Sequence, residues 1–280
     1  VSAKSILIVD DDPAVHDLIR TMLSADDWRI ETAMGGDEAL VSLLAGSHDV
    51  VLTDILMPGM DGLTLLKRIH EVRPEAIVVV MTAVHTPANV IQSLRNRAYS
   101  YLSKPFFRES LNETLRAALA DGVSVDDISI LSGMPQWISL ELRCKLSTAN
   151  RLTEFFRELG ADLNPEDLEA ISTAFRELLT NAIEHGGGLD PTQKVQLTYV
   201  RCSRCIFYHI RDPGEGFSFQ RLPHAAVSNL PDRPFAHSEV REALGIRPGG
   251  FGIYLTRNLA DEVVYNEKGN EVVLIKYLTP

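Results

Sequence analysis

The sequence predicts an α/β protein of two domains: a doubly wound parallel sheet, then a layer of helices over a mostly antiparallel sheet. Three observations carry this. Five short Ile/Val/Leu-rich segments alternate with five amphipathic ones over the first 120 residues. The stretch 121–135, "DGVSVDDISILSGMP", breaks that alternation with Gly122, Gly133 and Pro135 and reads as a linker. Beyond it, strands come in consecutive pairs and helices are grouped, an order that fits an antiparallel sheet covered on one face. At 280 residues and 45% apolar content, the chain has material for two cores.

In the first domain, residues 1–120, "SILIVD" (5–10), "RIETA" (29–33), "DVVLTD" (49–54), "AIVVVMT" (76–82) and "SYLSK" (100–104) are short, rich in Ile, Val and Leu and bounded by turn residues. Helical periodicity falls near 13–24, 36–45, 61–73, 87–97 and 106–120. Strict alternation of this kind gives a flavodoxin-like (βα)5 sheet. In the second domain, residues 136–280, "WISLELRC" (137–144) alternates as a strand, and Ser147 is placed to cap a helix running to about 159. Asn164 followed by Pro165 marks the next helix start. "KVQLTYVR" and "CIFYHIRD" form a strand pair. A polar, Pro-rich stretch (218–248) precedes the helix "FGIYLTRNLADEV" and the strands "VVYNE" and "EVVLIKYL".

The net charge of −11 is shared about evenly between the halves and argues against direct nucleic-acid binding as the main activity. No apolar run approaches the ~20 residues of a membrane span, and no signal peptide is expected, since "VSAKSILIVDDDP" reads almost directly into a strand. Three cysteines give no disulfide framework. Cys202 and Cys205 lie where a hairpin turn is expected, with no second pair to complete a zinc site. Reduced thiols suit a cytoplasmic protein.

Polar residues gather at the strand ends of the first domain. Asp10, Asp11 and Asp12 follow the first strand, Asp54 ends the third, Thr82 the fourth, and Lys104 with Pro105 the fifth. In an open parallel sheet these ends share one edge, where ligands bind. Two carboxylates ~4 Å apart repel by ~4 kcal/mol at an effective dielectric of 20. A divalent cation removes that cost, and oxygen-only ligands suit Mg²⁺. One strand-end Asp would be an ordinary loop acid; the full set is far more specific. The pieces "ILIVDDDPAV", "DILMPGMDGLTLL", "MTA" and "YLSKPF" resemble a two-component response-regulator receiver domain over about residues 4–120. That resemblance implies that Asp54 is the phosphoacceptor, that Asp11 binds Mg²⁺ directly and Asp10 through water, and that the Leu56 carbonyl completes the protein ligands. It also implies that Thr82 and Lys104 contact the phosphoryl oxygens and that Tyr101 is the switch aromatic. Arg97 stands where the family usually has glycine.

A second set opens with "FRELLTNAIEHGGG" (175–188), a helix that ends on three glycines. Glu177, Asn181, Glu184 and His185 share one face of it. A solvated face is the usual fate of such a stripe, and Glu184 and His185 read as helix-end polar groups. Asn inside a helix competes for its backbone, however. "RDPGEGF" (211–217) and "RPGGFGIYL" (247–255) add an acid with G-x-G and a glycine-rich helix start, where backbone N–H groups attract phosphate. In this order the three pieces resemble the histidine-kinase-like ATP-binding fold, an α/β sandwich of Bergerat type, over about 136–280. Within it they are most similar to the serine-kinase anti-sigma factors. The resemblance implies ATP and Mg²⁺ as cofactors, with Asn181 holding the metal and Glu177 as general base. By the same resemblance Asp212 reads the adenine amino group, Gly214 and Gly216 floor the pocket, and residues 217–248 are a mobile lid. Gly250 and Gly252 then meet the phosphates, and the three glycines after the helix free the chain as it leaves. Relatives often place a Thr in the final hairpin beside the adenine-binding Asp; here Glu271 lies near that place.

No histidine occurs between 86 and 184, and His70 falls on a first-domain helix, which argues against a conventional histidine kinase. The leading expectation is a bacterial, cytoplasmic response regulator whose output domain is an ATP-dependent protein serine/threonine kinase with anti-sigma-type partner switching. Its partners would be an upstream histidine kinase and an anti-sigma-factor antagonist or sigma factor. A homodimer is a further expectation, since both families often dimerise. The alternative is a non-catalytic, ATP-gated adaptor that sequesters its partner. A DNA-binding regulator is weakest, for want of a basic recognition helix.

Overall fold

The computed structural model describes residues 4–24, 28–84, 86–121, 127–216 and 252–278. The chain divides into two units, Val1–Asp127 and Ile128–Pro280, each with its own sheet.

The first unit contains β1 (Lys4–Val9), α1 (Pro13–Leu23), β2 (Trp28–Ala33), α2 (Gly36–Ala45), β3 (Val50–Asp54), α3 (Gly62–Val72), β4 (Ile77–Thr82), α4 (Pro87–Arg95), β5 (Ser100–Ser103) and α5 (Arg108–Asp121). The strands are parallel, in the order β2-β1-β3-β4-β5, so the chain winds both ways from β1. Helices on both faces explain why strand residues are apolar in succession rather than alternately. Ile6, Leu7, Ile8 and Val9 are all fully buried. Three helices start on side-chain caps that replace missing intrahelical acceptors. Asp12 accepts from the Ala14 N–H, Asp61 from Thr64 at 2.7 Å, and Thr86 from Asn89. Arg97, the residue standing in for glycine, has φ of 63°. The position after α4 demands the left-handed region, and a side chain occupies it at a cost of about 1–2 kcal/mol.

The second unit contains β6 (Ile128–Met134), β7 (Trp137–Arg143), α6 (Leu146–Leu159), α7 (Pro165–Asn181), a π-helical turn (Ala182–Gly186), β8 (Lys194–Arg201) and β9 (Cys205–Arg211). Then come α8 (Gly252–Leu259), β10 (Glu262–Tyr265) and β11 (Glu271–Tyr277). The sheet is antiparallel, in the order β10-β11-β9-β8-β7-β6. Its strands alternate, as a sheet covered on one face requires. Val195, Leu197 and Tyr199 on β8, and Ile206, Tyr208 and Ile210 on β9, are buried. Phe156 of α6 and Phe175 of α7 meet Tyr199 and Tyr208, with Phe175 and Tyr208 stacked at 4.4 Å between centroids. Each such aromatic pair adds about 0.5–1.5 kcal/mol beyond area burial.

Three expectations change. The linker expected at 121–135 ends before Ile128, because Ile128–Met134 forms edge strand β6 against β7, with a register shift between Ile130 and Ser132. The domain expected to open at 136 therefore opens one strand earlier. Lys145, not Ser147, stands at the N-cap of α6, without a side-chain cap bond. The helix expected to run through His185 loses α spacing after Asn181 and closes through a wider turn, with the Gly187 N–H donating to the Ala182 carbonyl at 2.9 Å.

Candidate functional sites

In the first unit the parallel topology delivers the strand ends to one edge. Asp10 follows β1, Asp54 ends β3, Thr82 ends β4 and Lys104 follows β5. Lys104 Nζ lies 2.7 Å from Asp10 Oδ2 and 3.2 Å from Asp54 Oδ1, so one ammonium bridges two carboxylates. Carboxylate oxygens of Asp10, Asp11 and Asp54 lie within 4.8 Å of one another. Asp10 and Asp54 are buried while Asp11 is exposed, so the cluster is open on one side. Burial pushes the Asp54 carboxyl above its ordinary range; Lys104 pulls against this by charge and hydrogen bond, and Asp10 adds to it. This oxygen-only donor set fits a hard divalent cation. Thr82 is fully buried, its hydroxyl accepting from the Val84 N–H at 3.2 Å. Asp12 is used as the α1 cap. Tyr101 is buried on β5 and Leu56 is exposed in the loop after Asp54. That loop folds back so that the Gly62 N–H donates to the Ile55 carbonyl at 2.9 Å. A Cβ on Gly62 would overlap the Asp54 carbonyl oxygen, so the glycine opening α3 is a condition for placing Asp54.

In the second unit, Glu177 and Asn181 lie one turn apart at the end of α7, both partly exposed. A Cβ on Gly252 would overlap Glu177 Oε1, so the first residue of α8 seats its backbone on that carboxylate. Thr256 fastens the same turn by donating to the Gly252 carbonyl at 2.8 Å. Asp212 follows β9. Its Oδ1 accepts from the Gly214 N–H at 2.8 Å, and its backbone N–H donates to the Asn270 carbonyl at 3.0 Å. Burial raises the Asp212 carboxyl, while the Gly214 N–H and Lys268 oppose the rise. Tyr265 on β10 is pushed up to about 12 by burial. Arg257 opposes that rise and Asp212 and Glu177 add to it, so the phenol senses both acids.

The glycines after α7 are explained by close approach. A Cβ on Gly186 would fall 2.2 Å from Asp212 Cγ, and one on Gly187 would overlap Cys144 Sγ. A Cβ on Gly214 would fall 2.8 Å from the Gly186 carbonyl oxygen. The wide turn therefore presses bare backbone onto the acid after β9. Gly216, with φ of 82°, backs onto the Lys268 carbonyl, and Lys268 Nζ donates to the Gly214 carbonyl at 3.0 Å. The D-x-G-x-G loop is thus pinned to the turn joining β10 and β11.

The residue beside Asp212 is Asn270, not Glu271. Asn270 is buried; its side-chain amide donates to the Asp212 carbonyl at 3.3 Å and accepts from Asn266 at 3.0 Å. Glu271 lies on the other face of β11 and holds His209 and Arg211 at 3.2 and 3.4 Å. Gly250 and the lid expected over 217–248 lie outside the described residues. Gly62, Gly186, Lys268 and Asn270 are the site residues that sequence reasoning missed. Only the glycine run gave a signal, and it was read as freedom for the chain leaving the helix.

Comparison with known proteins assigns both halves. The response regulator receiver domain matches residues 6–116, and the histidine kinase-like ATPase domain matches residues 142–276. The transcriptional regulatory protein TrcR of Mycobacterium tuberculosis is 33% identical over 114 residues, which is 41% of this chain and 44% of that protein. ResD of Bacillus subtilis is 35% identical over 101 residues, 36% of this chain and 42% of that protein. The chain thus spans less than half the length of these relatives. A CheY-like receiver domain from Methanospirillum hungatei is 32% identical, with a TM-score of 0.42, covering 43% of this chain and 96% of that one. Among the described residues no helix is long and apolar enough to cross a membrane.

Proposed function

In a chain that joins a response regulator receiver domain to a histidine kinase-like ATPase domain, we propose that phosphorylation of Asp54 controls an ATP-dependent protein serine/threonine kinase and partner-switching output. The observation that carries the input half is the bridge from Lys104 Nζ to both Asp10 and Asp54. An upstream histidine kinase donates the phosphoryl group. Asp54 attacks through a carboxylate oxygen, and Lys104 and Thr82 meet the phosphoryl oxygens that arrive beside it. Mg²⁺, held by Asp10, Asp11, Asp54 and the Leu56 carbonyl, supplies charge neutralisation when bound. Lys104 then exchanges part of its hold on Asp10 for the phosphoryl group, which is how the sheet edge registers the modification.

In the output domain, Asp212 takes the adenine amino group on an acid already set by the Gly214 N–H. Gly214 and Gly216 floor the pocket, Gly250 and Gly252 meet the phosphates, and Asn181 offers a hard oxygen to Mg²⁺. Glu177, one turn before Asn181, accepts the proton of a seryl or threonyl hydroxyl as that oxygen attacks the γ-phosphate. The protein substrate is an anti-sigma-factor antagonist, or the partner is a sigma factor held directly. One observation favours a second reading, a non-catalytic ATP-gated adaptor. Glu177 touches Gly252 at the start of α8, which also suits a glutamate that senses nucleotide.

Incubating the protein with labelled ATP and antagonist domains separates the two. The kinase reading expects acid-stable, alkali-labile label on the partner. Glu177→Gln should bind ATP nearly normally and lose transfer by at least ~10²-fold. Normal transfer by that variant removes Glu177 as the base; no transfer by the wild type to any antagonist domain leaves the adaptor reading in place.

A further inference from the structure

The C-x-x-C at the β8–β9 turn takes no part in either site, yet the fold arranges it in a particular way. Extending the β8–β9 register past Arg201 and Ile206 sets Cys202 directly opposite Cys205, with Ser203 and Arg204 as the intervening turn. The Cys202 N–H donates to the Cys205 carbonyl at 2.8 Å. One backbone hydrogen bond thus closes this four-residue turn, whose end Cα atoms lie within about 7 Å of each other. Disulfides form across roughly 4.4–6.8 Å. The Leu278 N–H donates to the Arg204 carbonyl at 2.8 Å, so the end of the chain pins the turn from the other side. Cys202 is exposed and Cys205 partly so, whereas Cys144 is buried beneath Gly187. The Cys205 thiol hydrogen-bonds to Cys202, and it is raised by burial first and by that neighbour next. Cys144 is raised further, to about 11, by burial and the nearby acids.

We propose that Cys202 and Cys205 form a reversible oxidation site, closing to an intramolecular disulfide in the presence of a low-molecular-weight disulfide. The exposed Cys202 loses its proton to solvent, and its thiolate attacks one sulfur of the oxidant. The S–S bond breaks, one small thiol leaves, and a mixed disulfide remains on Cys202. Cys205 then loses its proton and attacks Cys202 Sγ, displacing the second small thiol. Two protein thiols are oxidised and one small disulfide is reduced to two thiols. A small external disulfide reaches an exposed turn, and a bridge placed there is the labile kind. The seven residues of β9 separate this turn from Asp212, about 23 Å of strand. Closure is therefore independent of nucleotide binding, and its test stands apart from the proposed function.

The full chain is incubated with oxidised glutathione, quenched in acid and unfolded, its free thiols are alkylated, and it is digested for mass spectrometry. In the expected wild-type product the segment holding Cys202 and Cys205 lacks two hydrogens and regains them with dithiothreitol, while Cys144 is alkylated. Cys205→Ser should stop at glutathione on residue 202. Cys202→Ser should remain unbridged. A wild type that keeps all three thiols alkylatable, or that stops at the mixed disulfide, overturns the proposal.

Discussion

Replacing Gly186 by alanine should cost nucleotide affinity and stability together. The new Cβ would lie 2.2 Å from Asp212 Cγ, against roughly 3.5 Å for ordinary contact, so acid and turn must separate by roughly 1.3 Å. The bond that suffers first joins Asp212 Oδ1 to the Gly214 N–H at 2.8 Å. Stretched by that amount, it passes beyond hydrogen-bond range. A hydrogen bond to a charged group contributes about 1.5–3 kcal/mol. Unfolding free energy should fall by that amount. If the same carboxylate reads adenine, as proposed above, ATP affinity measured by calorimetry should fall by about 10- to 100-fold. Gly188→Ala is the matched control. Nothing lies within 4 Å of its Cβ, but φ is 61°, so it should lose about 1–2 kcal/mol of stability without losing affinity. If Gly186→Ala binds ATP as the wild type does, the glycine run does not serve Asp212.

Other outcomes follow from the same geometry. Acetyl phosphate with Mg²⁺ should label Asp54 alone; acid-labile label persisting in Asp54→Asn would refute the assignment, and Lys104→Ala should still be labelled while losing its effect on output. Arg97→Gly should stabilise the receiver domain by about 0.5–1 kcal/mol in urea melts, by relieving left-handed backbone at φ of 63°; an unchanged midpoint contradicts that account. Arg201 holds Asp162 through two 2.7 Å bonds and lowers its carboxyl. A lowered carboxyl contributes stability above its unfolded pKa and loses it as pH falls through the folded value. Because Asp162 is exposed, Asp162→Asn should cost only about 0.2–1 kcal/mol at neutral pH, and its deficit against the wild type should close in acid.

The receiver half was legible because its signals are redundant. Most strands are runs rich in Ile, Val and Leu, three helix starts carry side-chain caps, and topology alone carries five strand ends to one edge. Strand β6 was hidden because Gly122, Gly133 and Pro135 read as punctuation around it, and an edge strand with an interrupted register needs little apolar alternation. The error at Asn270 was a shift of one residue, which in a strand exchanges the two faces of the sheet. No local pattern fixes such a register; it is set by Asn266, whose side chain accepts from the Gly269 and Asn270 N–H groups and fixes the turn. The glycine run was seen but given the wrong physics. Its cause is contact with Asp212 and Cys144, residues distant in sequence, and no spacing rule reveals a partner across the fold.

The wide turn after Asn181 also bears on how this segment tolerates changes in length. A π turn is a helix carrying one residue more than α spacing needs. Deleting Glu184 would restore that spacing and carry Gly187 to the place where Gly186 meets Asp212. Gly188 would then fall opposite Cys144, and Leu189, already at φ of 56°, would inherit the left-handed position. Three consecutive glycines thus make the joint indifferent to the loss of one residue: Gly187 takes the place of Gly186, and no side chain stands between the backbone and the acid. Shortened variants of this domain should therefore gather between Ala182 and Gly188, where one residue can be lost without changing what faces Asp212.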